Sequence, residues 1–174
     1  MTAASGLLLV ATTGLIAAGC VTQRAQASDS DAAGSPGDTT TVVFLERGAC
    51  HGTCPVYSVH VSASGLVRFV GTRFVRAVGA DTGHVGPAAV AAMHAAFAAR
   101  KFSSVAAVIE SGAASCGAYV ADLPTAELRL RDDAGTHRVR WDEGCRDHPT
   151  MLDTLARLVD SVSGTSRWTT IPRP

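Results

Sequence analysis

The sequence is almost without lysine. Lys101 is the only one, and arginine carries the rest of the basic charge. Lys and Arg total 15 against 15 Asp and Glu, so the formal net charge is zero. A chain with no basic excess is not built for general binding to nucleic acid. Signature catalytic strings are missing too. No G-x-S-x-G, H-E-x-x-H, phosphate-binding loop or dinucleotide fingerprint occurs, which weakens the case for an enzyme without closing it. There is no internal repeat.

What is present near the start is an uncharged stretch, Gly6 to Gly19. It falls short of the ~20 apolar residues that a membrane-spanning helix needs, and it matches the apolar core of a secretory signal. Ala17-Ala18-Gly19-Cys20 runs small residues into a cysteine. That pattern resembles a bacterial lipobox, in which the cysteine receives lipid and becomes the new N-terminus. Met1 to Ser5 lack the usual Lys or Arg, and position 17 is Ala where the pattern prefers Leu. The expectation is a signal peptide over residues 1–20 with lipidation at Cys20. Each buried methylene of such an anchor contributes about 0.8 kcal/mol. Val21, rather than Asp, follows the cysteine, which by resemblance to Gram-negative lipoproteins favours the periplasmic face of the outer membrane. The expected partners are the membrane, through that lipid, and an unidentified envelope protein or polymer.

Residues 21–40 are rich in Ala, Ser, Asp and Gly and contain no aromatic residue. Such a segment buries too little apolar surface to offset its ordering entropy, so it reads as a tether. The globular domain is expected over residues 41–172. Thr41 to Glu46 is β-rich. In Pro55 to Ser62 the residues Tyr57, Val59 and Val61 share one face, and Ser58 and His60 the other. Leu66 to Val70 and Phe74 to Val78 continue a meander, punctuated by Gly71 and Gly79. Gly86-Pro87 opens a helix whose Val90, Met93 and Phe97 form a narrow core stripe ending near Lys101. Ser103 to Ala121 is ambiguous. Thr125 to Arg131 and His137 to Trp141 form a hairpin across Asp132-Asp133-Ala134-Gly135. From Pro149 a second helix buries Leu152, Leu155, Val159 and Val162, leaves Asp160 on its polar side and stops at Gly164. Strands, helix, strands, helix predicts an α+β domain: a mainly antiparallel sheet, meander plus C-terminal hairpin, with two packed helices.

Four cysteines remain once Cys20 is set aside: Cys50, Cys54, Cys116 and Cys145. In an oxidising compartment they read as two disulfides with three possible connectivities. Along an extended chain Cys50 and Cys54 would stand ~13 Å apart, against a limit of ~7 Å. Bonding them to each other therefore demands a tight turn, which Gly52 permits. The preferred expectation is that each bridges to Cys116 or Cys145, which the hairpin delivers to one end of the sheet; the pairing stays open. A zinc reading would recruit Cys50, His51, Cys54, Cys145 and His148, but paired C-x-x-C spacing is absent. A haem reading would need C-x-x-C-H. A thiol-redox reading needs a stabilised thiolate, whereas Cys54 is followed by proline and a strand. The leading expectation is thus a non-enzymatic binding module without cofactor or metal. The alternative is a thiol-redox or metal-dependent enzyme centred on Cys50, His51, Cys54 and Cys145.

Arg47 to Tyr57, R-G-x-C-x-G-T-C-P-V-Y, followed by two alternating strands, resembles a bacterial family defined as a domain of unknown function, DUF6438. The likeness continues in Phe74 to Gly79, in Asp122-Leu123-Pro124-Thr125, and in Gly144-Cys145 with Pro149, covering roughly residues 41–162. Ala121 and Asp142-Glu143 depart from the family pattern. The resemblance implies a small exported domain and supplies no activity. Separately, Arg129, Arg131, Arg138 and Arg140 alternate outward on the hairpin, with Arg68 and Arg76 as extensions. They form a candidate face for anionic glycan, lipid phosphate or peptidoglycan carboxylate, partly neutralised by Glu127, Asp132 and Asp133. His60, His94 and His137 read as isolated, and Tyr57 and Trp141 as packing residues. Asp122 reads as a side-chain turn cap.

Overall fold

The computed structural model of the chain describes residues 41–171. The expected leader, the Cys20 lipidation site and the tether of residues 21–40 lie outside the described residues. Seven strands run as β1 (Thr41–Arg47), β2 (Val56–Ser62), β3 (Leu66–Arg73), β4 (Gly79–His84), β5 (Val108–Ile109), β6 (Thr125–Asp132) and β7 (Gly135–Asp142). They form one sheet in the order β4-β3-β2-β1-β6-β7-β5. Every pairing is antiparallel except that of β5 with β7. Two longer helices, α1 (Pro87–Ala99) and α2 (Met151–Ser163), and a single turn, α3 (Ser166–Thr169), complete an α+β fold. The family of strands and helices is the one the periodicity predicts.

Strand alternation places the core. Val43, Leu45, Val59, Val61, Val67, Phe69, Leu128, Val139 and Trp141 occupy register positions on one face and are fully buried. Each such side chain contributes about 1.5–3 kcal/mol on leaving water. Helix α2 packs on β1 and β2, and α1 packs on α2. Leu152, Leu155 and Val159 of α2 and Met93 and Phe97 of α1 are also fully buried, whereas Val162 is half-buried. Gly164, in left-handed backbone at φ 65°, ends α2 as expected.

Three expectations are corrected. Phe74 to Val78 is not a strand. It is a bend that starts at Phe74 with φ 55°, and the amide of Ala77 donates to the carbonyl of Trp168 at 3.0 Å. A Cβ on Gly71 would stand 2.0 Å from the Ala77 carbonyl, so the bend needs glycine beneath it. The fourth strand is instead Gly79–His84, whose composition is poor for β structure and whose order comes from pairing with β3. Third, α3 was not anticipated. Its buried Trp168 stacks on Phe69 at 4.9 Å and donates from Nε1 to Asp81 at 2.8 Å. The ambiguous stretch resolves into a short 3-10 turn at Phe102–Ser104, the two-residue β5 and a long loop.

Candidate functional site

Arg47 ends β1 and Tyr57 lies near the start of β2, and they are register partners. Both therefore point to the helix-covered face, at the end of the sheet where the connecting loops gather. The β1–β2 loop is closed by a disulfide between Cys50 and Cys54, with Cα atoms 5.8 Å apart. This overturns the expected bridging of each to Cys116 or Cys145. The amide of Gly52 donates to the Cys50 carbonyl at 2.9 Å, which makes the tight turn that an extended chain lacks. Gly48 sits where the loop meets β6. Its amide donates to the Thr125 carbonyl at 2.7 Å, and a Cβ there would stand 2.4 Å from Thr125 Oγ1.

The second disulfide joins Cys116 to Cys145, with Cα atoms 4.4 Å apart. The hairpin register sets Thr125 opposite Asp142, so the chain before β6 and the chain after β7 run side by side. Val120 donates to the Gly144 carbonyl and Arg146 to the Ala118 carbonyl, both at 2.9 Å. Asp122 is in left-handed backbone, φ 71°, and acts through its own carbonyl, which accepts the His51 amide at 3.1 Å. That contact ties the two disulfide-bearing loops together.

Between these loops and α2 lies a network of charges. Asp160 of α2 accepts from Arg47 Nη2 at 2.9 Å, from the Tyr57 hydroxyl at 2.7 Å and from Thr165 Oγ1 at 3.1 Å. Arg47 Nη1 donates to Glu143 Oε1 at 3.0 Å. Burial and the Asp160 charge push the Tyr57 hydroxyl far above its usual titration range. Burial alone would lower the Arg47 value, but Asp160 outweighs it and holds the guanidinium charged. Burial raises Glu143 despite Arg47. Beside them His148 presents Nδ1 to the Cys145 carbonyl at 2.5 Å and Nε2 to Asp153 at 3.0 Å. Neutral imidazole can donate from one nitrogen only. Two acceptors therefore favour imidazolium, and they raise the His148 value against the lowering effect of burial.

The network walls a two-part cleft. One cavity of about 330 Å³ is lined by Arg47, Leu123, Glu143, Arg146, His148, Asp153 and Arg157. A neighbouring one of about 320 Å³ shares Arg47 and Glu143 and adds Cys54, Pro55, Tyr57, Pro124 and Asp160. These volumes lie in the range of small-ligand sites.

Residues 41–163 match the family described as a domain of unknown function, DUF6438. The chain belongs to the DUF6438 family. No curated protein matches it. The DUF6438 segment contains both disulfides, Arg47, Tyr57, Glu143, His148 and Asp160, and stops short of α3. The R-G-x-C-x-G-T-C-P-V-Y string thus has a physical role in this DUF6438 domain: it carries one disulfide and, at either end, the two residues that grip Asp160.

The other sequence candidates are placed as follows. Cys50, Cys54, Cys116 and Cys145 are all taken up in disulfides, and among the described residues no three His, Cys, Asp or Glu side chains are grouped as a metal ion requires. Arg129, Arg131, Arg138 and Arg140 do share the sheet face opposite the core. Arg129 and Arg138 both bind the buried Glu127 at 2.5 Å, and Arg129 also lies 4.3 Å above the Phe44 ring. Burial would raise Glu127, but the two arginines outweigh it and hold its carboxyl below the usual range. An external anion there must compete with Glu127. Arg68 is on this face, opposite His60, whereas Arg76 lies in the bend and donates to the Arg167 carbonyl. Trp141 is core, as expected, and His60, His94 and His137 are half-buried.

Sequence reasoning missed Asp160, Glu143, Arg146, Asp153 and Arg157. A signal for Asp160 existed. Val43, Leu45 and Arg47 share one strand parity, so Arg47 points inward and demands a buried counter-charge. Asp160 falls four residues after Ala156 and three before Ser163, both buried, and so flanks the apolar stripe of α2.

Proposed function

We propose that this domain is a non-enzymatic binding module of the cell envelope, anchored by lipid on Cys20 at the periplasmic face of the outer membrane and spaced from it by residues 21–40. Its partner is an envelope protein or polymer. The observation that carries the reading is the placement of both disulfides at the end of the sheet that holds the cleft. Paired sulfurs persist where the compartment is oxidising, and cross-linked loops hold a recognition surface in its bound geometry, which lowers the ordering cost of binding. The thiol or metal alternative draws less support. Its sulfurs are divided between two bonds, Cys116 and Cys145 are buried, and neither Cys54 nor Cys145 opens a helix that would stabilise a thiolate.

Fractionation of producing cells with intact-mass measurement tests this. The expected product starts at a lipidated Cys20, is retained in the membrane fraction and takes up four alkyl groups only after reduction. Cys20→Ser should release it from the membrane. An unprocessed cytosolic product with five free thiols, Cys20 among them, would end the proposal.

A further inference from the structure

The cleft carries more positive charge than its acids neutralise. In the 330 Å³ cavity, Arg47, Arg146, His148 and Arg157 face Glu143 and Asp153. Arg47 is held by Glu143 and Asp160, and His148 by Asp153. Arg146 and Arg157 are exposed. Among the described residues neither has a carboxylate partner, and Arg157 makes only a 3.4 Å contact with Thr154 Oγ1. A guanidinium presents a planar fork that matches a carboxylate, and two of them without counter-ions attract one strongly. The neighbouring compartment has a different character. Pro55, Pro124 and the Tyr57 ring line it, and Leu123 stands exposed at the rim of the first. The two compartments meet at the Arg47–Glu143 pair, held in place by the Cys116–Cys145 disulfide and by the Glu143 backbone N–H, which donates to the Pro124 carbonyl at 2.9 Å.

We propose that the cleft binds a ligand ending in a carboxylate on a short apolar body, the carboxylate clamped by Arg146 and Arg157 and the body resting against Leu123, Pro124 and Pro55. This deepens the binding-module reading, and rests on it only in taking the cleft as the binding surface; export and lipidation do not enter. Arg47 and His148 are fixed by their own carboxylate partners, so the wall between the two arginines and the apolar rim need not move on binding and the site is preorganised. Phosphate shares the anionic chemistry but lacks the apolar body.

The test titrates N-acetyl-leucine into the oxidised full chain at low salt, followed by calorimetry, with N-acetyl-leucinamide and inorganic phosphate as controls. The expected result is saturable binding of N-acetyl-leucine, weaker binding of phosphate, and none of the uncharged amide. Arg146→Gln with Arg157→Gln should weaken N-acetyl-leucine about tenfold or more. Both residues are exposed, and an unchanged melting temperature shows that the variant is folded. In the unmodified chain, raising the salt should weaken binding, a readout that needs no variant. Absence of binding, equal binding of the amide, phosphate binding tighter than N-acetyl-leucine, or indifference to the two substitutions would each overturn the assignment. None of these outcomes touches where the protein resides, which fractionation decides separately.

Discussion

Removing the two disulfides separately should destabilise the domain unequally, and the order follows from the loops they close. Cys50 and Cys54 are separated by 4 positions, Cys116 and Cys145 by 29. Loop-closure entropy in the unfolded chain then assigns about 2 kcal/mol to the short loop and about 3.5 kcal/mol to the long one. Burial widens the gap. Cys116 and Cys145 are 1% and 0% exposed, so their replacement by alanine also loses packing, whereas Cys50 and Cys54 are half-exposed. At about 4 °C per kcal/mol for a domain of this size, Cys50→Ala with Cys54→Ala should lower the melting temperature by about 8 °C, and Cys116→Ala with Cys145→Ala by about 14 °C. Thermal melts followed by far-ultraviolet circular dichroism, with calorimetry to check two-state behaviour, give both values. A short-loop pair that matters as much as the long-loop pair would refute the reasoning, because the turn at Gly52 would then be holding more of the fold than its own loop.

Three further outcomes follow from the charges. Asp160→Asn should destabilise by about 2 kcal/mol, less than a fully buried pair because Arg47 and Asp160 are each about a fifth exposed; Tyr57→Phe, which removes one hydrogen bond, should lose about 1 kcal/mol. Urea midpoints decide, and equal effects would mean that Asp160 acts through Tyr57 alone. His148 should titrate above its ordinary 6.5 by NMR, and Asp153→Asn should bring the midpoint down. Because the folded value is raised, the stability from imidazolium is complete below the ordinary value and is lost as pH rises through the folded one. Glu127 has the opposite sign: its folded value is depressed below 4.5, so its contribution is present above that value and lost as pH falls through the folded one. Glu127→Gln should be less stable than the unmodified chain by a steady margin near neutrality that closes in acid, and a margin unchanged in acid urea titrations would remove Glu127 from the account.

Legibility varied along the chain for physical reasons. The hairpin and α2 were readable because their apolar residues keep one period over a full element. Phe74 to Val78 carries the composition of a strand, yet Phe74 adopts φ 55° because the chain must turn under Trp168. Gly79–His84 has the composition of a loop and is a strand because β3 offers it an open edge. Local propensity is weak beside such tertiary pairing. The cysteine pairing is hidden for a related reason. Cys50 and Cys54 meet because the chain between them is not extended, and the turn that closes them depends on the Gly48–Thr125 and His51–Asp122 contacts, which join residues far apart in sequence.

By itself, the order of residues determined the class of fold, the buried faces of β2 and of the β6–β7 hairpin, and the family, because alternation and helical spacing are properties of neighbours along one chain. It also marked Arg47 and Tyr57 as belonging to one motif. What they bind to was decided only in three dimensions. Arg47 meets Asp160 across 113 positions and Glu143 across 96, and the cleft exists where three loops and α2 converge. A charge partner is selected by distance in space, and distance along the chain carries no record of it.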